Sequence, residues 1–340
     1  MNEKLRALVP SKRRFVQLYT ALLYNANLTG FAEGTIYQGP TKNVCVPGLN
    51  CYSCPGAVGA CPLGAFQNAL SASAVRFPYY MLGTLLLFGS LFGRVICGFL
   101  CPVGLVQELL HKIPTPKIPK SRFTRALSLL KYVILAVFVI AIPLHYAARE
   151  IPLPGFCKFI CPAGIGEGAI GLLSHPRNSN LFNMLSILFT RKFVILILFI
   201  GFSVFMFRPF CRFICPLGAI YSLFNRISFF GVRVDLSKCT HCSRCIRECG
   251  MDVKEVGDRE CIQCASCMNV CAANAISLKA GKWTIMDPCK GLTEPLAADG
   301  GQAALTLKAG PDGSNHLTIQ SSSPAAMTGQ EDVDRENQNQ

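Results

Sequence analysis

Charged side chains are scarce in this 340-residue chain, in which 15% of residues are Asp, Glu, Lys or Arg and 51% are apolar. The mean hydropathy is +0.37. A chain this apolar does not suit an ordinary soluble domain, and its length is too short for several large domains. We therefore expect a membrane protein.

Acidic residues are the rarer charged type, 19 against 33 basic residues, so the net charge is +14. A basic balance can indicate nucleic-acid binding. Here, however, the basic residues lie beside apolar runs, where the positive-inside rule accounts for them. We therefore expect no nucleic-acid partner.

The sequence signatures of common enzyme classes are also absent. The chain contains no P-loop, no Rossmann glycine pattern, no nucleophile elbow and no flavinylation-like sequence. It does contain 19 cysteines. Secreted disulfide scaffolds are small and lack membrane spans, so metal or cluster ligation explains these cysteines better.

Four apolar segments predict membrane helices. Residues 78–96 and 126–146 reach the length of about 20 residues that a span needs, and Lys131 lies close enough to one end to snorkel. Residues 193–207 are short, and residues 15–31 contain three polar amides. We expect an all-α membrane core of about four helices.

Basic residues in the short loops predict the orientation. The N-terminus and residues 112–125 are rich in Lys and Arg and belong in the cytoplasm, which leaves residues 33–75 and 147–192 outside. We expect a basic cytoplasmic N-terminus at residues 1–14 and a transmembrane domain at residues 15–230. A cytoplasmic ferredoxin domain is expected at residues 231–287, and a disordered tail at residues 288–340. Cys289, in that tail, is expected to have no role.

Two cysteine runs, at residues 239–249 and 261–271, share the spacing C-x2-C-x2-C-x3-C. In this pattern three thiolates bind one [4Fe-4S] cluster and the fourth binds the neighbouring cluster, whereas paired zinc ribbons need wider separations. We expect a small α+β ferredoxin domain with two clusters and with Trp283 packed under its hairpin. Cluster I takes Cys239, Cys242, Cys245 and Cys271, and cluster II takes Cys261, Cys264, Cys267 and Cys249.

A Cys-Pro-x-Gly phrase occurs four times, beginning at Cys61, Cys101, Cys161 and Cys215. Proline is favoured at the first position of a helix, so each phrase is expected to open a helix with its cysteine at the cap. The free amides and the positive helix end would then face the sulfur, which suits an anionic iron-sulfur cluster.

Topology divides these cysteines between the two membrane faces. Cys97, Cys101, Cys211 and Cys215 follow inward spans and are expected to form one inner four-cysteine site, related by a parallel repeat. Six cysteines compete for an outer site: Cys45, Cys51, Cys54, Cys61, Cys157 and Cys161. Its ligands are either the first four of these, or Cys54, Cys61, Cys157 and Cys161, which symmetry favours. The remaining pair is then free to form a disulfide.

The ferredoxin runs, together with "CGFLCP" (97–102), "CKFICP" (157–162) and "CRFICP" (211–216), resemble the NapH-like and NosR-like membrane polyferredoxins. The resemblance covers residues 10–285. It implies a multi-pass protein of the cytoplasmic membrane, in contact with lipid, that relays electrons between a quinol or cytoplasmic donor and a redox partner protein. Quinone is therefore a candidate ligand.

Two other functions remain in competition with electron transfer. An assembly factor or sensor could use the outer thiols to handle a metal such as Cu(I), which soft thiolates suit. A transporter would need intramembrane acids or broken helices, which we do not find. Electron transfer itself faces a hydrocarbon core about 30 Å thick, so the two membrane clusters must sink inward or a quinone or partner must bridge them.

Overall fold

The computed structural model describes residues 12–72, 78–149, 151–184, 187–286, 307–309 and 315–317. The chain forms two compact units, Met1–Gly291 and Leu292–Gln340. In the second unit, the described residues are two short antiparallel strands, Leu307–Ala309 and Asn315–Leu317. Cys289 and the rest of the expected disordered tail lie outside the described residues.

Helices make up most of the first unit. They are α1 (Lys12–Tyr24), α2 (Thr29–Glu33), α3 (Pro62–Ala72), α4 (Tyr79–Phe92), α5 (Pro102–His111), α6 (Arg122–Ala147), α7 (Gly155–Phe159), α8 (Gly164–Leu173), α9 (Ile187–Phe205), α10 (Pro209–Phe213), α11 (Pro216–Phe224) and α12 (Arg244–Arg247). Short 3₁₀ turns cover Pro40–Asn43, Pro176–Met184 and Ser266–Val270.

Three stretches adopt the wider π-helical geometry, namely Ile96–Leu100, Leu135–Ala141 within α6, and Gly164–Ala169 at the start of α8. Such turns are rare and concentrate at functional sites. Two of the three adjoin a Cys-Pro phrase.

Two described helices are long and apolar enough to cross a membrane: α6, with 26 residues, and α9, with 19 residues. The helices α4 and α1 have 14 and 13 residues and are shorter than the spans predicted there. α4 ends because Gly93 adopts a φ of +51°, and α1 ends before Asn25, whose amide binds the Ala21 carbonyl and Asn50.

The ferredoxin region contains a three-stranded antiparallel sheet of β1 (Phe230–Val234), β2 (Ile276–Ala280) and β3 (Trp283–Met286). Val232 pairs with Leu278, and both side chains are buried against Val95 and Phe99 of the helical part. The expectation for Trp283 is wrong: its side chain is 81% exposed, because it lies on the edge strand, where no other described segment covers it.

Buried ion pairs join the ferredoxin region to the helices. Glu260 lies 2.5 Å from Lys131 Nζ and 3.4 Å from Arg94 Nη1, and Asp252 binds both Arg212 and Thr124. The expectation that Lys131 snorkels to water is therefore wrong. Its side chain is fully buried because the ferredoxin region supplies a carboxylate for it.

Candidate iron-sulfur sites

The two ferredoxin runs fold into a pair of loops with matching backbone strain. His241 and Gln263 follow the first cysteine of each run by two residues, and both have a positive φ, of 52° and 55°. Ser243 and Ala265, four residues after that cysteine, repeat the pattern at 56° and 60°. Left-handed conformations at non-glycine residues are costly and cluster at functional sites. Here they turn each loop tightly around its own cysteines.

The structure brings together the second predicted ferredoxin set and three members of the first. In the first set, Cys245 lies near Cys239 and Cys271, while Cys242 is exposed. The second set lines a cavity of ≈ 380 Å³ together with Cys245. Its members are Cys249, Cys261, Cys264 and Cys267. The two sites are therefore neighbours.

The ferredoxin thiols have unlike environments. Burial raises the pKa of the Cys249 thiol to about 11 and also raises the pKa of Cys261, whereas a hydrogen bond from the Arg244 amide lowers the pKa of the exposed Cys242. The thiolate is the form that binds metal, and metal binding releases the thiol protons.

The inner set, Cys97, Cys101, Cys211 and Cys215, lies in the buried core. Cys101 and Cys215 cap α5 and α11, with proline at the first helical position, as the phrase predicts. The Gly218 amide donates to Cys215 Sγ at 3.4 Å. Each phrase therefore presents backbone donors to its own sulfur.

Two fully buried arginines cross between the halves of the inner site. Arg94, three residues before Cys97, donates to the Cys211 carbonyl at 3.4 Å. Arg208, three residues before Cys211, donates to the Cys97 carbonyl. The exchange is reciprocal, as a repeat about an axis requires. Arg94 Nε is buried without a hydrogen-bond partner among the described residues, so an anionic cluster between the cysteines fits.

One cavity brings together four of the six outer cysteines, and this group is not identical to either predicted ligand set. Cys51, Cys61, Cys157 and Cys161 line one cavity of ≈ 300 Å³. Cys54 is buried but does not line it, and Cys45 Sγ instead lies 3.5 Å from Met81 Sδ. Three of the four cysteines that symmetry favoured, Cys61, Cys157 and Cys161, line the cavity. The fourth cysteine that lines it is Cys51 and not Cys54.

Glu167 explains the exchange of Cys51 for Cys54. Its Oε2 accepts a hydrogen bond from the Cys51 amide at 2.8 Å, which holds this residue at the cavity. The Cys54 amide turns back to the Cys51 carbonyl at 3.1 Å. All described cysteines are free thiols, so the anticipated disulfide is not present among them.

Within the part of the chain that the structure describes, no three His, Cys, Asp or Glu side chains are placed to bind one ion. In a [4Fe-4S] cluster each of the four thiolates binds a different iron. Each four-cysteine set supplies the number of thiolates that such a cluster needs.

Two features of the sites were not predicted from the sequence: the buried arginines, and a position that recurs six residues after each phrase cysteine. The sixth residue after each phrase cysteine is Gln67, Gln107, Glu167 or Tyr221. Each makes a side-chain hydrogen bond at the inner or outer site. Aligning the four phrases reveals the signal, because a polar or hydroxylated side chain recurs at this place in otherwise apolar helices.

Comparison with known proteins agrees with this geometry. Residues 77–121 and 189–235 each match the family described as a 4Fe-4S binding domain. Each segment contains one inner cysteine pair, so the two matches coincide with the two halves of the inner site. No solved structure matches the chain significantly.

Three curated relatives cover different shares of the chain. An uncharacterised protein of Methanocaldococcus jannaschii, MJ0750, is 29% identical over 64% of this chain and 85% of its own length. The putative electron transport protein YccM of Escherichia coli is 23% identical over 56% of this chain and 52% of its own. The regulatory protein NosR of Stutzerimonas stutzeri is 26% identical over 52% of this chain and 23% of its own. With the cysteine motifs and the two matched segments, these relatives support the resemblance of the chain to the NapH-like and NosR-like 4Fe-4S ferredoxins.

Proposed function

We propose that the chain carries electrons through a membrane along a row of four [4Fe-4S] sites, between a donor on the ferredoxin side and a redox partner on the opposite side. When bound, each cluster supplies a one-electron carrier. The ferredoxin sites hold cluster I and cluster II, the four inner cysteines hold the third, and Cys51, Cys61, Cys157 and Cys161 hold the fourth. The similarity to YccM, a putative electron transport protein, supports electron transport as the class of function.

Contact between the ferredoxin region and the inner site supports the first part of this row. A Cβ added at Gly98 would lie 2.5 Å from the Ile262 carbonyl oxygen and 3.2 Å from Cys264 Cα. Gly98 follows the inner ligand Cys97, and Cys264 belongs to the second ferredoxin set. The backbones that carry the two ligand sets therefore touch.

The observation that carries the proposal lies between the inner and outer sites. Tyr221, in the helix that Cys215 caps, donates to the Pro47 carbonyl at 2.9 Å, and a Cβ added at Gly48 would lie 3.3 Å from the Cα of the inner Cys101. The same loop continues to Cys51, which lines the outer cavity. Because three residues span at most about 11 Å, this loop supports a short step between the inner and outer sites in place of the barrier of about 30 Å expected from the sequence.

Exposed apolar faces support a membrane location with more than two embedded helices. Large apolar side chains are exposed along α6 and α9, and also along the shorter α1 and α4. Lys120 Nζ donates to the carbonyls of Ile246, Arg247 and Cys249, so the basic loop lies on the ferredoxin side. The positive-inside rule then favours a multi-pass protein of the cytoplasmic membrane with its ferredoxin domain in the cytoplasm.

An apolar pocket of ≈ 560 Å³ between α6 and α9 supports a quinone or lipid as a further ligand. Ile160 and Pro162, beside the outer Cys161, line it, as do Phe210 and Ile214 beside the inner cysteines. Its polar hydroxyl, Thr124, is already bound to Asp252. The pocket therefore suits an isoprenoid or acyl tail rather than a polar head group.

A metal-handling role is the second candidate, and the pair of Cys45 and Met81 favours it. Their sulfurs are 3.5 Å apart, and thiolate with thioether is a soft combination that selects Cu(I). This role predicts copper binding at the outer face without a cluster there.

Iron and sulfide quantitation with EPR on anaerobically purified protein separates the two functions. Electron transfer predicts about sixteen irons, four at each of four sites, and a loss of about four in the Cys61→Ser variant. An iron content near twelve, unchanged by that substitution, contradicts the outer cluster and favours metal handling.

A further inference from the structure

We propose that Gln67 and Gln107 are positioning residues that raise the reduction potentials of the outer and inner clusters, each by donating a hydrogen bond to one ligand sulfur. This inference deepens the proposed function and rests on its clusters. It assigns a role to two side chains that lie outside the cysteine motifs.

The two glutamines make equivalent contacts. Gln107 Nε2 donates to Cys211 Sγ at 3.1 Å, and Gln67 Nε2 donates to Cys157 Sγ at 3.4 Å. In both cases the sulfur belongs to the opposite half of the chain. Both glutamine side chains are fully buried.

The other end of each amide fixes its orientation. Gln107 Oε1 accepts from the Phe210 amide at 3.1 Å, and Gln67 Oε1 accepts from the Phe156 amide at 2.9 Å. Each phenylalanine immediately precedes the cysteine that the same glutamine contacts. Because a backbone N–H must face the oxygen, the side-chain NH₂ must face the sulfur.

A donor held in this way favours the reduced state of the site. One-electron reduction adds one negative charge, and a hydrogen bond to a ligand sulfur stabilises that added charge, so the potential rises. Burial removes competing water, which strengthens the interaction. In the other two phrases the sixth residue binds backbone instead, since Glu167 accepts from the Cys51 amide and Tyr221 donates to the Pro47 carbonyl.

Redox titration followed by EPR on the full chain tests the proposal with Gln107→Met and Gln67→Met. Methionine has a similar volume and lacks the N–H donor. In Gln107→Met the inner signal is expected to titrate at a lower potential by a tenfold change in the reduction equilibrium, about 59 mV for a one-electron couple. The outer signal should stay unchanged. Gln67→Met should give the reverse result.

Gln17→Met is the matched control. Gln17 is also fully buried, and its Nε2 donates at 2.8 Å to the carbonyl of Gly98, beside Cys97, rather than to a sulfur. This variant should leave both potentials unchanged. An inner-site shift as large as that of Gln107→Met would show that any disturbance of the packing has the same effect and would overturn the proposal.

A milder pair, Gln107→Asn and Gln67→Asn, keeps the test decisive if a methionine variant loses iron. Asparagine is one methylene shorter, so the donor withdraws from the sulfur, and the same site-specific direction is expected. If the methionine and asparagine variants all keep their full iron content and their reduction potentials are unchanged, the role of the two glutamines is refuted while the proposed function stands. Absence of the inner and outer signals from the unmodified protein refutes that role together with the proposed function.

Discussion

At the scale of single residues, a cation closely approaches the glycine of the Cys-Pro-x-Gly phrase in two of its four copies. A Cβ added at Gly104 would lie 2.9 Å from Arg208 Nη1, and one added at Gly164 would lie 3.0 Å from Lys192 Nζ. At Gly64 and Gly218 the nearest atoms are 3.6 Å away, which is an ordinary contact. In the first two copies, a larger residue would push the cation away from the start of the helix beside the cysteine.

The choice between neighbouring outer cysteines gives a residue-level prediction. Cys51→Ala is expected to remove about four irons, because Cys51 lines the outer cavity. Cys54→Ala, its matched control, is expected to keep them, because Cys54 is buried outside that cavity. Iron and sulfide content of anaerobic protein measures both. Loss of the cluster in Cys54→Ala with retention in Cys51→Ala would restore the ligand set that symmetry favoured.

At the scale of helices and loops, each membrane site is assembled from two distant segments. The inner cysteines come from the π-helical stretch and cap before α5 and from α10 and the cap of α11. The cysteines of the outer cavity come from Cys51, the residue before α3, α7 and the segment before α8. Neither half of the chain supplies four ligands to the inner site alone. The reciprocal contacts of Arg94 and Arg208 hold the two inner loops in register.

Shared assembly predicts that inner cysteines from different halves behave as one unit. Cys97→Ser and Cys211→Ser are each expected to abolish the same EPR signal and to leave the ferredoxin signals in place. The double variant should lose no more iron than either single variant. Loss of two different signals from the two single variants would contradict the pairing.

The buried carboxylate between the ferredoxin region and the helices gives a prediction on stability. Glu260→Gln leaves Arg94 and Lys131 buried without a counter-charge, which typically costs about 3 to 5 kcal/mol. Hydrogen exchange of the β1 and β2 amides should show opening made easier by that amount. Glu255→Gln is the control, because Glu255 and Arg226 are 65% and 61% exposed and such pairs contribute about 0 to 1 kcal/mol. Equal effects in the two variants would refute a structural role for Glu260.

At the scale of the whole molecule, local spacing can be read from the sequence and long-range contacts cannot. The ferredoxin spacing predicts two ligand sets within each run and its neighbour, and the four cysteines of the second set line one cavity. The contact between the Cys51 amide and Glu167, more than a hundred residues away, has no local signal, so the sequence could not favour Cys51 over Cys54. Helix lengths also deviated, since the φ of Gly93 ends α4 before a full span is reached.

Topology is the prediction that belongs to the complete chain. An epitope inserted after Lys282, in the exposed turn between β2 and β3, should be protected in intact cells. An epitope inserted after the exposed Asn43 should react with a membrane-impermeant antibody once any cell wall or outer membrane has been removed. The reason is the basic loop that contacts the ferredoxin region. Labelling of the epitope after Lys282 but not of the epitope after Asn43 would show that the chain has the opposite orientation.

The division of the inner ligands between the two halves has a consequence for biogenesis. Cys215 follows Cys97 by 118 residues, and synthesis at about 5 to 20 residues per second takes roughly 6 to 24 seconds to make that stretch. During this interval the thiols of Cys97 and Cys101 and the cation Arg94 are already present in the nascent chain, whereas Cys215 has not yet been made. A cluster that needs all four cysteines can therefore form only after the segment that contains Cys215 has been made and inserted.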